Sequence, residues 1–423
     1  MKVYLDSIGC RLNQSEIETI GRQFRAAGHE IVAAAGAADL AVVNTCAVTN
    51  EAASDSRAAA RRIARAGVPE IIVTGCWATL QNRQAADLPH VQRIIPNKSK
   101  DRLVADVLGR PPESFDVEPL ARQPLPGLRQ RTRAFIKAQD GCNNHCTFCI
   151  TTVARGEASS RQVADVISDV RYAVNGGAKE VVLTGVHLGS WGQDFGRHLR
   201  DLVTAILHET DVPRIRLSSV EPWDLDGDFF SLWSNPRVCK HLHLPLQSGC
   251  RSTLKRMARK TTPASFRSLV QAARQVMPDV AITTDMIAGF PGETEAEFRE
   301  SLEFVEEMEL AGGHAFTYSP RPGTGAARMS SQVSPEIRKE RNAAYRLLFQ
   351  RSADAYKQRF LGQELPVLWE SMTRLDASGW QMAGLTGNYL RVTAAAARPL
   401  WNEISLVALQ GLQADGIVGR IAA

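Results

Sequence analysis

"AFIKAQDGCNNHCTFC", residues 134–149, runs from a short apolar strand pattern straight into a loop with three cysteines. In a barrel built from alternating strands and helices, such a loop lies at a strand's carboxyl end, where functional groups are delivered. Cys142, Cys146 and Cys149 follow the spacing C-x3-C-x2-C, and no fourth cysteine comes soon after. Three thiolates on a four-iron cluster leave one iron without a protein ligand. An open position is what a metal centre needs if it is to bind a substrate or cofactor. The same residues could instead form a structural zinc site with His145 as fourth ligand, but zinc ligands usually arrive as two separated pairs.

Downstream, "EVVLTGV", "RIRLSS", "HLHLPL", "AITTDMIAG" and "GHAFTYS" repeat the strand pattern. Between "AFIKAQ" and "EVVLTGV", Val163, Val166, Ile167, Val170 and Val174 share one helical face, and Gly176 and Gly177 end it. Six strands are too few for the eight-fold barrel, so residues 133–352 are expected to form an incomplete (β/α)6 barrel. Upstream, "KVYLDSIG", "LAVVNT" and "EIIVTG" alternate with helical runs near 14–27, 50–66 and 100–108. That predicts an α/β domain over 1–110 with a doubly wound parallel sheet. Residues 111–132 are proline-rich and read as a linker. After a basic helix near 335–357, the runs "LPVLWE", "GWQMAGLT", "YLRVTA" and "GIVGRI" predict a small β-barrel over 356–423.

Cys10, Cys46 and Cys76 are far apart in sequence but share one context: "YLDSIGC", "VVNTC" and "IIVTGC". Each follows a buried strand of the same parallel sheet, and parallel strands bring their carboxyl ends to one edge, where ligands bind. The expectation is a second three-cysteine cluster; the bland alternative is three separate buried thiols. Cys239 and Cys250 lack this context and read as structural.

Composition sets the outer limits. The chain has 423 residues, 44% hydrophobic and 22% charged, with a net charge of +5 and eight cysteines. The small positive excess is compatible with an RNA partner without pointing to one. No apolar run approaches the roughly 20 residues needed to span a bilayer. "MKVYLDSIGC" has no signal-peptide character, so a cytoplasmic protein with no membrane partner is expected.

The spacing Cys142, Cys146, Cys149 resembles the signature of radical S-adenosylmethionine enzymes. "GCRLNQSE", "NTCAVTN", "TGCWA", "GCNNHCTFC", "VARG", "HLPLQSG", "IAGFPGET" and "YSPRPGT" together resemble the landmarks of the methylthiotransferases within that superfamily. "GLTGNYLRV" looks like their TRAM module, a small RNA-binding β-barrel. The resemblance covers essentially the whole chain. It implies two [4Fe-4S] clusters, a radical cluster at Cys142, Cys146 and Cys149 and an auxiliary one at Cys10, Cys46 and Cys76. It further implies S-adenosylmethionine as cofactor, tRNA at its anticodon loop as partner, and an electron donor such as a flavodoxin or ferredoxin. In the family, one S-adenosylmethionine methylates a sulfur at the auxiliary cluster and a second supplies the radical that removes hydrogen from the target carbon.

"GCRLNQSE", "GCNNHCTFC" with "ARG", and "SSVEP" look most like the bacterial branch acting on N6-threonylcarbamoyladenosine in tRNA. The implied reaction adds a methylthio group to C2 of that nucleoside at position 37. The branch acting on isopentenyladenosine would share every cluster residue. A non-catalytic, zinc-stabilised RNA-binding protein is the rival of another class. "ITTVARG" departs from the family's commoner "IIPYARG", and "LPLQSGC" carries Cys250 where serine is usual.

Beyond the cysteines, Gly185 in "LTGVHLGSWG" and Glu221, Gln247 and Ser248 at strand ends are candidate cofactor contacts; ordinary turns or loop caps explain them equally. Arg259 in the basic run "RSTLKRMARK", Arg321, Tyr389 and Arg391 are candidate RNA contacts, with a solvated helix face or a core position as the alternative.

Overall fold

The computed structural model describes residues 1–111, 132–377, 379–414 and 416–422. Of the expected linker, 111–132, residues 112–131 lie outside the described residues.

The first domain is a five-stranded, all-parallel sheet: β1 (Lys2–Ser7), β2 (Glu30–Val32), β3 (Leu40–Thr45), β4 (Glu70–Gly75) and β5 (Val91–Ile95), in the order β2-β1-β3-β4-β5. Every residue of β3 is buried, as an apolar strand covered on both faces must be. Val3, Leu5, Val42 and Ile72 pack on one face, beneath α1 (Arg11–Ala26). Ala41, Val43, Ile71 and Val73 pack on the other, beneath α2 (Asn50–Arg65). The doubly wound sheet is therefore present. The edge strands β2 and β5 and the short helices α3 (Cys76–Leu80) and α4 (Asn82–Ala86) had no clear sequence signal. A final helix, α5 (Leu103–Leu108), ends at Gly109 in the left-handed conformation.

The second domain holds six barrel strands: β6 (Arg133–Lys137), then, after the two-residue ribbon β7 (Gln139–Asp140) and β8 (Ser159–Ser160), β9 (Glu180–Thr184), β10 (Arg214–Leu217), β11 (His241–His243), β12 (Ala281–Ala288) and β13 (Gly312–Thr317). They form two parallel sheets, β10-β9-β6 and β11-β12-β13, joined by parallel bridges at Ile215–Val238 and Ser219–His243. All six expected strands are present, and the barrel is incomplete. The two-residue strand period sorts side chains to opposite faces. Ile136, Val181, Leu183, Ile215, Leu217, Leu242, Ile282 and Met286 pack outward into the core. Their neighbours Lys137, Glu180, Arg216, His241, His243 and Asp285 consequently face the lumen.

A third unit, β14 (Glu364–Asp376), β15 (Gly379–Thr386), β16 (Arg391–Ala396), β17 (Ile404–Gln413) and β18 (Gly416–Ile421), is a closed barrel ordered β14-β15-β16-β18-β17. Four of its strands were expected; β17 is the addition. The barrel docks on the lumen floor through two arginines of β10. Arg214 donates to the carbonyls of Leu385 and Pro366 at 3.0 and 2.7 Å, and Arg216 donates to those of Thr386 and Gly387 at 3.1 Å each.

The first domain spans the open side of the incomplete barrel. At one rim Ser15 Oγ accepts from the Lys137 amide at 3.0 Å, pairing a group that the edge strand β6 leaves free. At the other rim, just after β13, Asn50 donates to Ser319 Oγ at 2.9 Å and accepts from Arg321 at 2.6 Å.

Candidate active site

β1, β3 and β4 are neighbours with level ends: Ser7 lies opposite Asn44, Asn44 opposite Thr74, and Thr45 opposite Gly75. Cys10, Cys46 and Cys76 leave this edge together. Their approach is close. A Cβ on Gly9, whose φ is +109°, would stand 2.5 Å from the Cβ of Cys46 and 2.7 Å from its sulfur. Burial pushes the Cys46 thiol up to about 11, and Cys10 and Cys76 push it in the same direction, so the three groups sense one another. Asn97 Nδ2 donates to the sulfur of Cys76 at 3.5 Å.

The second set sits on the loop between β7 and β8. The ribbon pinches the base of that loop, the Cys142 amide donates to the Gly156 carbonyl at 3.1 Å, and the Cys149 amide donates to the Cys146 carbonyl at 3.0 Å. Gly141 has φ +66°, and a Cβ there would fall 1.8 Å from the Glu157 carbonyl oxygen, so only glycine lets the chain turn into Cys142. N–H donors point at all three sulfurs: Asn144 N at Cys142 (3.4 Å), Thr151 N at Cys149 (3.4 Å) and Arg259 Nη1 at Cys146 (3.9 Å). Burial alone would raise the Cys142 thiol, but hydrogen bonds from His187 and the Asn144 amide hold it below its usual value. Burial opposes charge on His187, yet Asp224, 2.6 Å from Nε2, and Cys142 lift it to about 9.

This donor chemistry fits iron–sulfur clusters. All six cysteines are free, and thiolates that accept N–H hydrogen bonds are the usual surroundings of cluster ligands. The zinc alternative finds no support in the donors. His145, the expected fourth ligand, is exposed and no contact holds it beside the three sulfurs among the described residues.

The two edges are fastened to each other by buried charge. Arg155, on α6 (Thr151–Arg155), donates to Glu16 Oε1 and Asp140 Oδ1 at 2.9 Å each and to Asn13 Oδ1 at 2.7 Å. Lys100 Nζ lies 2.7 Å from Glu16. Burial works against the Glu16 carboxylate, but Lys100 and Arg155 hold it well below the ordinary carboxylate range. Sequence reading assigned these residues no role, although Glu16 closes "GCRLNQSE" and Arg155 lies in "VARG". The available signal was a charged residue a few positions after the cysteine of each motif.

The other candidate residues fall in different places. Glu221 is at the site, held by a two-pronged pair with Arg259 at 2.9 and 2.6 Å. Arg259 is buried, lies 4.5 Å from the Trp223 ring and also bonds the Pro245 carbonyl. Its guanidinium braces the cysteine loop from inside and is not presented to an RNA phosphate. Gly185 leaves no ligand space on its Cβ side, because Gln139 Oε1 would lie 2.9 Å from an added Cβ. Gln247 is half-buried with φ +75°. Ser248 is buried, accepting from the Cys250 amide at 3.2 Å and approaching Ser301 Oγ at 3.4 Å, so its hydroxyl is engaged within the protein. Arg321 is buried beside Asn50, with Nε and Nη2 unpartnered. Tyr389 stacks on His241 with ring centroids 4.0 Å apart and planes at 8°, inside the barrel floor, where no RNA base can also stack on that face. Arg391 is exposed beside it.

Residues 136–305 match the Radical SAM superfamily, and residues 2–96 match Uncharacterized protein family UPF0004. The chain is 34% identical over 414 residues to the threonylcarbamoyladenosine tRNA methylthiotransferase MtaB of Bacillus subtilis, covering 92% of this chain and 89% of that protein. The chain belongs to the radical S-adenosylmethionine tRNA methylthiotransferases. A second relative, the tRNA-2-methylthio-N(6)-dimethylallyladenosine synthase of Oceanobacillus iheyensis, is 31% identical, covering 89% of this chain and 76% of that protein. Among solved structures, the radical S-adenosylmethionine methyltransferase TsrM from Kitasatospora setae shares the fold, with a TM-score of 0.59 at 15% identity, covering 77% of this chain and 75% of that one. The methylthiotransferase therefore works with S-adenosylmethionine and two [4Fe-4S] clusters, which removes the non-catalytic zinc reading. No helix among its described residues is long and apolar enough to cross a membrane.

Proposed function

We propose that this methylthiotransferase modifies C2 of N6-threonylcarbamoyladenosine at position 37, next to the tRNA anticodon. The polarity of the lumen between the two cysteine edges carries the reading. Its walls present Lys137, His243 and Asp285, each partly exposed, above the fully buried Glu180–Arg216 pair. Lys137 pairs with Asp140 and His243 with Asp285, so the wall is polar without being unsatisfied, and an arm ending in a carboxylate and a hydroxyl makes hydrogen bonds there that a hydrocarbon arm cannot make. The Bacillus relative carries the same substrate in its name.

In this reading Cys142, Cys146 and Cys149 hold the cluster that binds S-adenosylmethionine, and Cys10, Cys46 and Cys76 hold the auxiliary one. When bound, these groups supply the one-electron cleavage of S-adenosylmethionine and the sulfur, the two things that functionalising an unactivated carbon requires. The chain's own side chains position them. The His187–Asp224 pair orients the loop at Cys142, Arg259–Glu221 braces Cys146, and Arg155–Glu16 sets the separation of the two edges. Residues 1–110 form the auxiliary-cluster domain, 133–352 the radical domain and 356–423 a TRAM-like domain for tRNA, its exposed Arg391 available to phosphates. A flavodoxin or ferredoxin supplies electrons, and the cytoplasm, where tRNA and these donors occur, is the compartment.

Mass spectrometry of tRNA nucleosides from cells with and without the protein tests the substrate. Loss of the methylthio form of N6-threonylcarbamoyladenosine alone is expected. Loss of the methylthio-isopentenyl nucleoside instead would keep the chemistry and overturn the substrate.

A further inference from the structure

Three arginines near the lumen have no acidic partner among the described residues: Arg11, Arg321 and Arg391. Two other cations on the lumen wall are paired: Lys137 lies 2.9 Å from Asp140 and Arg216 lies 2.7 Å from Glu180. An unpaired cation in a partly dry cleft is poised for an anion, because solvent no longer satisfies it and no protein group does.

The three differ in placement. Arg321 is nine-tenths buried at the junction with the first domain, where it donates to Asn50 at 2.6 Å. Arg391 opens β16 on the exposed rim of the small barrel. Arg11 is half-buried and begins α1 directly after Cys10. Its Nη2 donates to the Tyr389 hydroxyl at 3.0 Å, and the Tyr389 ring lies flat on His241 on the lumen floor. Arg11 therefore starts beside a thiol of the auxiliary set and ends in the lumen. Tyr389, held at φ +67°, steadies the guanidinium by one edge and leaves other N–H groups unclaimed.

The geometry points to Arg11 as the residue that reads the carboxylate of the substrate's N6 arm. This assignment rests on the substrate proposed above. C2 and C6, the carbon that carries N6, flank N1 in the same six-membered ring, so when C2 faces the auxiliary sulfur the arm on N6 passes within a side chain's length of it. A guanidinium rooted next to Cys10 is placed to meet that arm, and the two-pronged arginine–carboxylate pairing suits its free edge. An isopentenyl arm offers Arg11 no anion, so the same residue discriminates against the rival nucleoside.

The test compares two anticodon stem–loops, one bearing N6-threonylcarbamoyladenosine and one bearing its threonyl methyl ester. They are assayed on the reconstituted wild-type enzyme, Arg11→Gln and Arg391→Gln, with kcat and KM read separately and iron content measured alongside. Wild type should lose about 10- to 100-fold in kcat/KM on esterification, mainly through KM. Arg11→Gln should lose a similar factor on the acid substrate, keep its iron, and no longer distinguish acid from ester. If Arg11→Gln keeps the full ester penalty, or if Arg391→Gln abolishes it, the inference is overturned while the substrate stands. If Arg11→Gln fails to hold iron, Tyr389→Phe replaces it. That variant frees the guanidinium and should shrink the ester penalty several-fold; an unchanged penalty overturns the inference. A wild-type enzyme that ignores the threonylcarbamoyl stem–loop and modifies an isopentenyl one refutes the underlying substrate reading instead.

Discussion

Gly9 combines a φ of +109° with a Cβ position already filled by Cys46. Adding a methyl group there forces a left-handed backbone on alanine and drives Cys10 and Cys46 apart at once. Gly9→Ala is therefore expected to retain the iron of the barrel loop and lose that of the sheet edge, taking anaerobically reconstituted protein from about eight irons to about four. Full iron in this variant would refute the assignment of Cys10 and Cys46 to one cluster. At this scale the cysteines were legible because their spacing, or their repeated position after a strand, is local. Glu16 and Arg155 were not, because the meaning of each lies in a partner 139 residues away. Arg259 misled for the same reason. In "RSTLKRMARK" it looks like one charge of a solvated run, and only the fold turns it inward to Glu221.

Among the elements, β9 and β10 show what a polar lumen asks of a strand. Outward residues Val181, Leu183, Ile215 and Leu217 are fully apolar, while Glu180, Arg214 and Arg216 on the other face are also buried. Burial alone would raise the Glu180 carboxyl, but Arg216, bonded to both oxygens at 2.7 and 3.1 Å, holds it below its ordinary value with help from Arg133 and Arg214. A folded pKa below the unfolded one contributes stability that is complete above the ordinary value of 4.5 and is lost as the pH falls through the folded value. Glu180→Gln should lower stability at neutral pH by about 3–5 kcal/mol, because it strands the buried Arg216 charge, and should flatten the acid limb. Melting temperatures measured from neutral pH down to about pH 3 check both parts; an acid limb as steep as wild type counts against the pair. The six barrel strands could be read because their outward apolar residues alternate with the lumen set. β2 is only three residues long, and β5 carries Gln92 and Arg93, both exposed, so neither shows a periodicity. β17, "ISLVALQGLQ", does alternate, but its bulge between Leu409 and Gly411 breaks the pattern midway.

For the molecule as a whole, two of the three units meet through arginines that donate to backbone carbonyls. Arg214 and Arg216 of the radical domain satisfy four carbonyls of the C-terminal barrel. Such contacts fix orientation without depending on side-chain identity in the partner. Arg214→Met should leave two carbonyls unsatisfied at about 1–3 kcal/mol each and raise amide hydrogen exchange throughout β14–β18. Exchange in β9 and β12 is expected to stay near wild type. Equal loosening of all strands would mean that the arginine supports the radical core and not the joint. This level was the least legible in the sequence, since nothing local in "RIRLSS" reveals that both arginines point into a second barrel.

The two thiol sets are also built in different ways, and that bears on how the enzyme matures. Cys142, Cys146 and Cys149 lie within eight consecutive residues, so their loop can gather them before distant contacts form. Cys10, Cys46 and Cys76 come together only once β1, β3 and β4 have paired in register. An iron donor thus meets a target close to a peptide in one case and a finished tertiary surface in the other. With the cluster roles proposed above, the set at Cys10, Cys46 and Cys76 records that the first domain has folded, and a chain misfolded there would forfeit that centre before the one on the barrel loop.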